Sequence, residues 1–470
     1  MSEIVTLITD SLWTYLLIGV LVACGIWFTI KSRGVQFRMI GEMFRILGDS
    51  TASSATSQED KKHKHVSSFQ AFCVSVATRV GTGNLAGVAT AIAIGGPGSV
   101  FWMWIIALIG SATSFVESTL AQLFKQRNKD SFVGGPAYYI MKGLHCRWMA
   151  VLFAVLITLT FGLSYNSIQS NTICDALHSA FGWNHIVVGI VIAVMGLTII
   201  FGGIQRIARI SAVIVPFMAI GYFLLALVVV IINIDLIPHV FAVILRGAFG
   251  FEQMAGGTLG MTIMIGIRRG LFSNEAGEGS APNVAATATV THPVKQGLLQ
   301  ALGVFTDTLL VCSCTAFVII ISGLYDNSGL NGISLTQAAM GKEVGSFGPT
   351  FVAIAIFLFA FSSIIGNYYY GEANIRFMTS KQWVINIYRI MSGGVMVIIG
   401  SIATLEQVWT MGDFFMALIT ICNLVAIILL GKYSFRLLDD YRSQKRQGIK
   451  DPRFHRSKLP EIEKDIDCWD

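Results

Sequence analysis

The chain has 470 residues, of which 54% are hydrophobic and 13% charged, with a net charge of +6. Soluble domains carry about 25% charged residues, and a soluble chain of this length divides into roughly three domains, yet no polar linker divides its middle. Apolar runs of about 20 residues recur instead, which excludes a soluble enzyme and identifies an all-α polytopic membrane protein. The basic excess lies largely in loops and the tail, so it reports topology and not nucleic-acid binding.

The chain begins MSEIVTLITD, without the basic region of a cleavable signal peptide, and a first span follows at 12–30. Next comes a basic stretch containing Lys31, Arg33, Arg38, Arg45, Lys61, Lys62 and Lys64. Within it, FRMIGEMFRILG predicts an amphipathic helix on the membrane surface, and residues 50–66 a polar connector. The second span, 68–95, carries Gly81, Thr82, Gly83 and Asn84 half-way along. Glycine costs about 1 kcal/mol against alanine within a helix, so this stretch predicts a broken helix. Spans follow at 98–124, 148–168, 185–202 and 209–233, then a surface segment at 237–248.

The seventh span, 254–287, is too long and too polar for one continuous crossing. Gly266, Arg268, Arg269 and Gly270 stand at its mid-depth and predict two half-helices meeting near residues 265–270. Spans at 296–323, 347–369, 383–402 and 411–431 bring the total to eleven, with a second surface segment at 333–345. The tail from 432 predicts a short helix followed by disorder. The eight cysteines are scattered, mostly in apolar runs, and read as small core residues. Loops rich in Lys and Arg alternate with nearly bare ones, which places the C-terminus in the cytoplasm and the N-terminus outside.

The interrupted spans are the second and the seventh, so each opens a set of five, and the odd number inverts the second set. The organisation is therefore residues 1–67 (extra helix, amphipathic segment and linker), 68–233 (repeat one), 254–431 (repeat two) and 432–470 (cytoplasmic tail). A broken helix at the head of each inverted half is a transporter signature, with the site near the midplane. Unwound backbone is tolerated at that depth only where it lines a cavity. Glycines that merely allow close helix packing are the competing explanation.

The motifs GTGNLAGVATAIAIGGPGSVFWMW (81–104) and RRGLFSNEAGEGSAPN (268–283), with HPVKQGL (292–298), FTDT (305–308) and YYYGE (368–372), resemble the sodium:alanine/glycine symporter family. The resemblance spans essentially the whole hydrophobic chain. It implies a leucine-transporter-like 5+5 inverted repeat preceded by one helix, and sodium-coupled uptake of small neutral amino acids across a plasma membrane, such as the bacterial inner membrane. It further implies that Thr82, Gly83, Asn84, Gln169, Ile265, Gly266 and Ser363 contact substrate. Ala77, Val80, Phe359, Ser362 and Ser363 would ligate sodium as coupling ion. No other cofactor is implied, and the expected working unit is a monomer in the lipid bilayer. Many members have a tryptophan where this chain has Asn367. The smaller amide widens the expected pocket and makes a longer amide substrate such as glutamine an alternative, unless Asn367 faces away.

Charged residues inside spans are costly and read as functional by default. Arg79 is expected to face Glu275 and Glu278 in an inner gate, with Arg268 and Arg269 in the same system; a permanent structural network is the competing explanation. The expected substrate and sodium positions contain no carboxylate, which favours sodium over proton coupling. An ion channel would show a polar pore stripe and an intramembrane enzyme a catalytic motif; neither is seen.

Overall fold

The computed structural model describes residues 2–52, 66–128, 131–250, 259–326 and 329–469. Among the described residues the regular secondary structure is helical apart from a two-stranded antiparallel ribbon, Gln126–Asn128 with Ser131–Val133, and an isolated bridge between Val66 and Ala288. A helix satisfies its own backbone hydrogen bonds, which a bilayer interior demands. Eight helices are long and apolar enough to cross a membrane, from Val5–Lys31 to Leu405–Arg446. The other three expected crossings are the 16-residue helix His185–Ile200 and the two interrupted segments. Length and composition thus establish eight, and the full count of eleven is a proposal. The polar connector falls mostly outside the described residues, as do residues 251–258 at the head of the seventh span.

Composition divides the helices between rim and centre. Gly203–Ile232 turns Val213, Phe217, Ile220 and Ile232 outward, as a lipid-facing helix does. Phe347–Met378 instead buries every residue from Phe359 to Ile375, including Ser362, Ser363 and Asn367. Polar side chains inside a bilayer face the bundle interior.

The first interrupted helix breaks where expected. Ser68–Arg79 starts from a capping box between Ser67 and Gln70 and leaves helical geometry at Val80, with ψ at 89°. The chain then resumes as a wide π-helical turn, Gly83–Gly87, followed by Val88–Gly95. The second corrects the expectation. Leu259–Asn274 runs unbroken through Gly266, Arg268, Arg269 and Gly270. The interruption lies at Glu275–Ser280, before the short helix Ala281–Ala285. The reason is spatial: a Cβ on Gly266 would stand 2.8 Å from Trp102 Cβ, so this glycine serves close packing. Unwinding falls where the backbone turns left-handed, with φ at +56° for Glu275, +94° for Gly277 and +77° for Gly279.

The tail is ordered, again contrary to the sequence reading. Leu405–Arg446 is one 42-residue helix, and the chain then folds back with Phe454, Leu459, Ile462, Ile466 and Trp469 buried. Trp469 Nε1 donates to Gln122 O at 3.0 Å, and its ring lies 4.7 Å from Lys125 Nζ. Lys125 also donates to Ala288 O at 3.2 Å. A tail with this many apolar residues finds a surface to bury them on, which charge counting overlooks. Burial pushes the Lys125 ammonium down to about 7. A lysine exposed by tail release titrates near ~10.4, so the released state binds more protons between these values and docking strengthens as pH rises through that window. Proteolysis within 447–469, normalised at each pH to an unstructured peptide, is expected to slow several-fold from pH 7 to 9. An unchanged rate would contradict the role given to Lys125.

Candidate functional site

At the first break the freed backbone is taken up by side chains. Gly81 N donates to Asn84 Oδ1 at 2.9 Å, while Thr82 donates from both N (3.0 Å) and Oγ1 (2.7 Å) to Gln169 Oε1. Gln169 stands on Asn166–Phe181, within the long helical segment Arg147–Phe181. Its oxygen occupies the start of a resuming helix, the electropositive end that attracts a carboxylate. A Cβ on Gly83 would lie 3.0 Å from Ser273 Cα, so the two interrupted helices touch here. A wall of rings closes the region: Phe161 on Tyr165, Tyr165 on Phe272, and Phe272 on Trp409, with centroids 4.6, 4.8 and 4.6 Å apart.

Beside the break four neutral oxygens converge. Ser363 Oγ donates to Ala77 O (2.8 Å) and Phe359 O (3.1 Å); Ser362 Oγ donates to Phe359 O (2.8 Å) and approaches Ala77 O (3.4 Å). Phe359, Ser362 and Ser363 share one helical face by their spacing, and Ala77 contributes the last turn before the break. Val80 is fully buried at the break itself. Neutral oxygen donors suit a hard monovalent cation. One turn beyond Ser363, Asn367 is fully buried, and neither its Oδ1 nor its Nδ2 has a hydrogen-bond partner.

Other expected positions are not brought together. The carbonyls of Ile265 and Gly266 belong to an unbroken helix, packed against Gly95 and Trp102, so they are not freed for an ammonium. The charge pairing also differs. Arg79 donates to Gln300 O (3.0 Å) and Ser114 Oγ (3.1 Å), and to neither Glu275 nor Glu278. Glu275 instead accepts from Ser280 Oγ at 2.5 Å and Glu278 from Tyr165 at 3.2 Å. Arg268 and Arg269 pair elsewhere: Arg269 with Asp413, and Arg268 with Asp413 (3.5 Å) and Asp10 (2.9 Å). The guanidinium of Arg269 sits 4.1 Å over the Trp409 ring, and that of Arg268 5.2 Å from Trp13.

A carboxylate does stand at the site, contrary to the sequence reading. Asp307 Oδ1 accepts from Asn84 Nδ2 and Oδ2 from Ser273 Oγ, both at 2.7 Å, so it links the two interrupted helices. It reaches Asn84 from a different helix, 223 residues along the chain, a proximity that no local pattern encodes.

The model of the sodium:alanine symporter family matches residues 1–456. The chain belongs to that family. The probable sodium/glutamine symporter GlnT of Bacillus subtilis is 51% identical over 471 residues, covering 100% of this chain and 96% of its own length. The amino-acid carrier protein AlsT of the same organism is also 51% identical, over 100% of this chain and 98% of its own length. Among solved structures, MhsT in complex with L-phenylalanine shares the fold with a TM-score of 0.54 at 13% identity, over 84% of this chain and 91% of that one. The protein is thus a multi-pass membrane transporter of leucine-transporter-like fold, in a family of transporters and not of enzymes.

In this sodium:alanine symporter family member, the cluster of Arg268, Arg269, Asp413 and Asp10 ties the helix Leu259–Asn274 to the first and the last helices, with the Arg269 guanidinium over the Trp409 ring. Asp413 and Trp409 escaped the sequence reading, although the acid in VWTMGD, at the edge of an apolar span, was the available signal. Asp10 gives the extra first helix a working contact. Asp413→Asn leaves two nearly buried guanidinium groups without their shared acid. Breaking a buried pair costs about 3–5 kcal/mol, so the variant is expected to lose most of its thermal stability margin and its uptake, measured as melting temperature and initial rate. A melting temperature within a degree of wild type would show the pairing to be dispensable.

Proposed function

We propose that this chain is a sodium-coupled symporter that takes up small neutral amino acids by alternating access. The observation that most supports this is the junction at Ala77–Asn84. One short stretch of broken helix offers Ala77 O to a cluster of neutral oxygens with Phe359, Ser362 and Ser363, and a few residues on carries Thr82, held by Gln169, Gly83, packed on Ser273, and Asn84, held by Asp307. An ion settling among those oxygens fixes the backbone whose next residues hold the substrate, so the two bind cooperatively. Gln169 covers the amides a carboxylate would take, and yields them when substrate enters. Eleven crossings in two inverted halves, an outside N-terminus, a cytoplasmic C-terminus and a monomeric unit in a bacterial inner membrane complete the reading.

A second substrate reading has its own support. Asn367 presents a buried carboxamide with both polar atoms unpartnered, and a substrate bearing an amide side chain can satisfy both at once. Glutamine is then preferred over alanine. The test is uptake of labelled alanine, glycine and glutamine into proteoliposomes under an inward sodium gradient, with potassium and proton gradients as controls. Accumulation only with sodium supports the symporter, and the preferred substrate decides between the two readings. Uptake that follows pH and ignores sodium would reject the ion site at Ala77, Phe359, Ser362 and Ser363.

A further inference from the structure

The unwound turn of the second interrupted helix carries more negative charge than its surroundings balance. Glu275 and Glu278 stand on the turn, and Glu117, from the helix Ser99–Leu123, closes onto it. Glu117 Oε1 accepts from Gly277 N at 3.3 Å and Oε2 from Asn423 Nδ2 at 2.8 Å; the same Asn423 amide donates to Gly277 O at 2.9 Å. All three carboxyl groups are buried, with exposures of 1% or less. The cation among them is Arg79, whose terminal nitrogens are engaged by Gln300 O and Ser114 Oγ. Among the described residues these three acids, with Asp307 beyond them, therefore face one guanidinium that bonds to none of them.

The three are not equally provided for. Glu117 has a donor on each oxygen. Glu275 Oε2 accepts from Ser280 Oγ, with Thr78 Oγ1 at 3.4 Å. Glu278 accepts one hydrogen bond, from Tyr165 to Oε2, and its buried Oε1 has no donor. A buried carboxylate is tolerated when paired with positive charge, and the groups around Glu278 supply more acid than base: Glu275 on its own turn, Glu117 from the facing helix, Tyr165, and Arg79 from the first interrupted helix. The backbone of this turn is left-handed at three positions, Glu275, Gly277 and Gly279, of which only Glu275 carries a side chain there.

We propose that this turn is a second cation site, in which Glu278, flanked by Glu275 and Glu117, takes up one small monovalent cation per transport cycle, either a sodium ion or a proton. It is separate from the oxygens of Ala77, Phe359, Ser362 and Ser363. Tyr165 connects it to the substrate, since its hydroxyl binds Glu278 while its ring lies on Phe272 at the pocket wall. The cation thereby neutralises the turn that must move when the second interrupted helix rearranges, which ties its entry and exit to the conformational change.

The inference rests on the symporter reading and is tested separately from it. Purified full-length protein in proteoliposomes is held at a fixed amino-acid gradient, and the reversal of flux is measured against imposed sodium and pH gradients, which counts cations per substrate. Wild type is expected to move two cations: two sodium ions, or one sodium ion and one proton, with the pH arm distinguishing them. Glu278→Gln is expected to move one sodium ion and to lose the second dependence. Glu278→Asp, which keeps the charge, is expected to retain the count of two at a several-fold lower rate and to show that a dead Gln variant is not merely misfolded. A wild-type count of one sodium with no response to pH overturns the proposal whatever the variants do, and leaves the symporter intact. So does a Gln variant with the wild-type count. Absence of any sodium-driven flux in wild type would instead overturn the symporter reading, and this site with it.

Discussion

Gly81→Ala is expected to abolish sodium-driven uptake while leaving a folded protein in the membrane. A methyl group there would run into Ser363 Oγ and stand 2.9 Å from Gln169 Oε1. Those two side chains make the contacts on which both proposed sites depend, Ser363 to Ala77 O and Gln169 to Thr82. Overpacking a buried position costs about 1–3 kcal/mol, which a polytopic protein survives. A displacement of about 1 Å in a positioned group can cost roughly 100-fold in rate, and here two groups are displaced at once. Initial uptake of the preferred amino acid should therefore fall by about two orders of magnitude, and the thermal shift produced by sodium should vanish with it. Gly87→Ala is the control: its Cβ would meet Trp409 at 3.6 Å, an ordinary contact, and uptake should stay within a factor of a few. If Gly81→Ala transports at the native rate, the site lies elsewhere.

Asn367→Leu is expected to move stability and transport in opposite directions. The wild-type side chain buries a carboxamide with neither polar atom bonded. Replacing such a group with an apolar one of similar size removes a desolvation penalty of about 1–3 kcal/mol, so the substrate-free variant should melt several degrees higher. Glutamine should then lose its side-chain partner. A site built to hydrogen-bond a ligand discriminates strongly when the bond is lost, and a fall in apparent glutamine affinity of at least ~10-fold follows from a loss of about 1.4 kcal/mol. Alanine, which has no side-chain amide, should be nearly unaffected. A variant that is neither more stable nor altered in its alanine-to-glutamine ratio would show that Asn367 faces away from the substrate.

The two interrupted helices show how far each kind of information reaches. Both were legible as interruptions, because glycines and charges cannot lie in lipid-facing helix without a reason. The first was legible to the residue: Gly81, Thr82, Gly83 and Asn84 combine weak helix propensity with polar groups, and the chain leaves the helix at Val80. The second was misplaced by about ten residues, at 265–270 instead of Glu275–Ser280. Glycine has two uses, left-handed backbone and close packing, and they look alike in a sequence. Only the neighbouring atoms of Ser99 and Trp102 reveal that Gly266 has the second use. The tail shows a related limit, since its apolar residues are too widely spaced to signal a docking surface before that surface exists.

Sequence alone determined that this protein spans a membrane many times, that its interior is polar near Gly81, and that the family's motifs run its full length. Those properties are set by composition and local propensity, which need no partner. Tertiary structure decided the rest. It placed Asp307 on Asn84, joined Arg269 to Asp413, sent Arg79 to Gln300 and not to a glutamate, and gathered three carboxylates around one turn. Each of these pairs residues from different helices. A charge in a low-dielectric interior is satisfied by whichever group packing brings within about 3 Å, and packing is a property of the whole bundle.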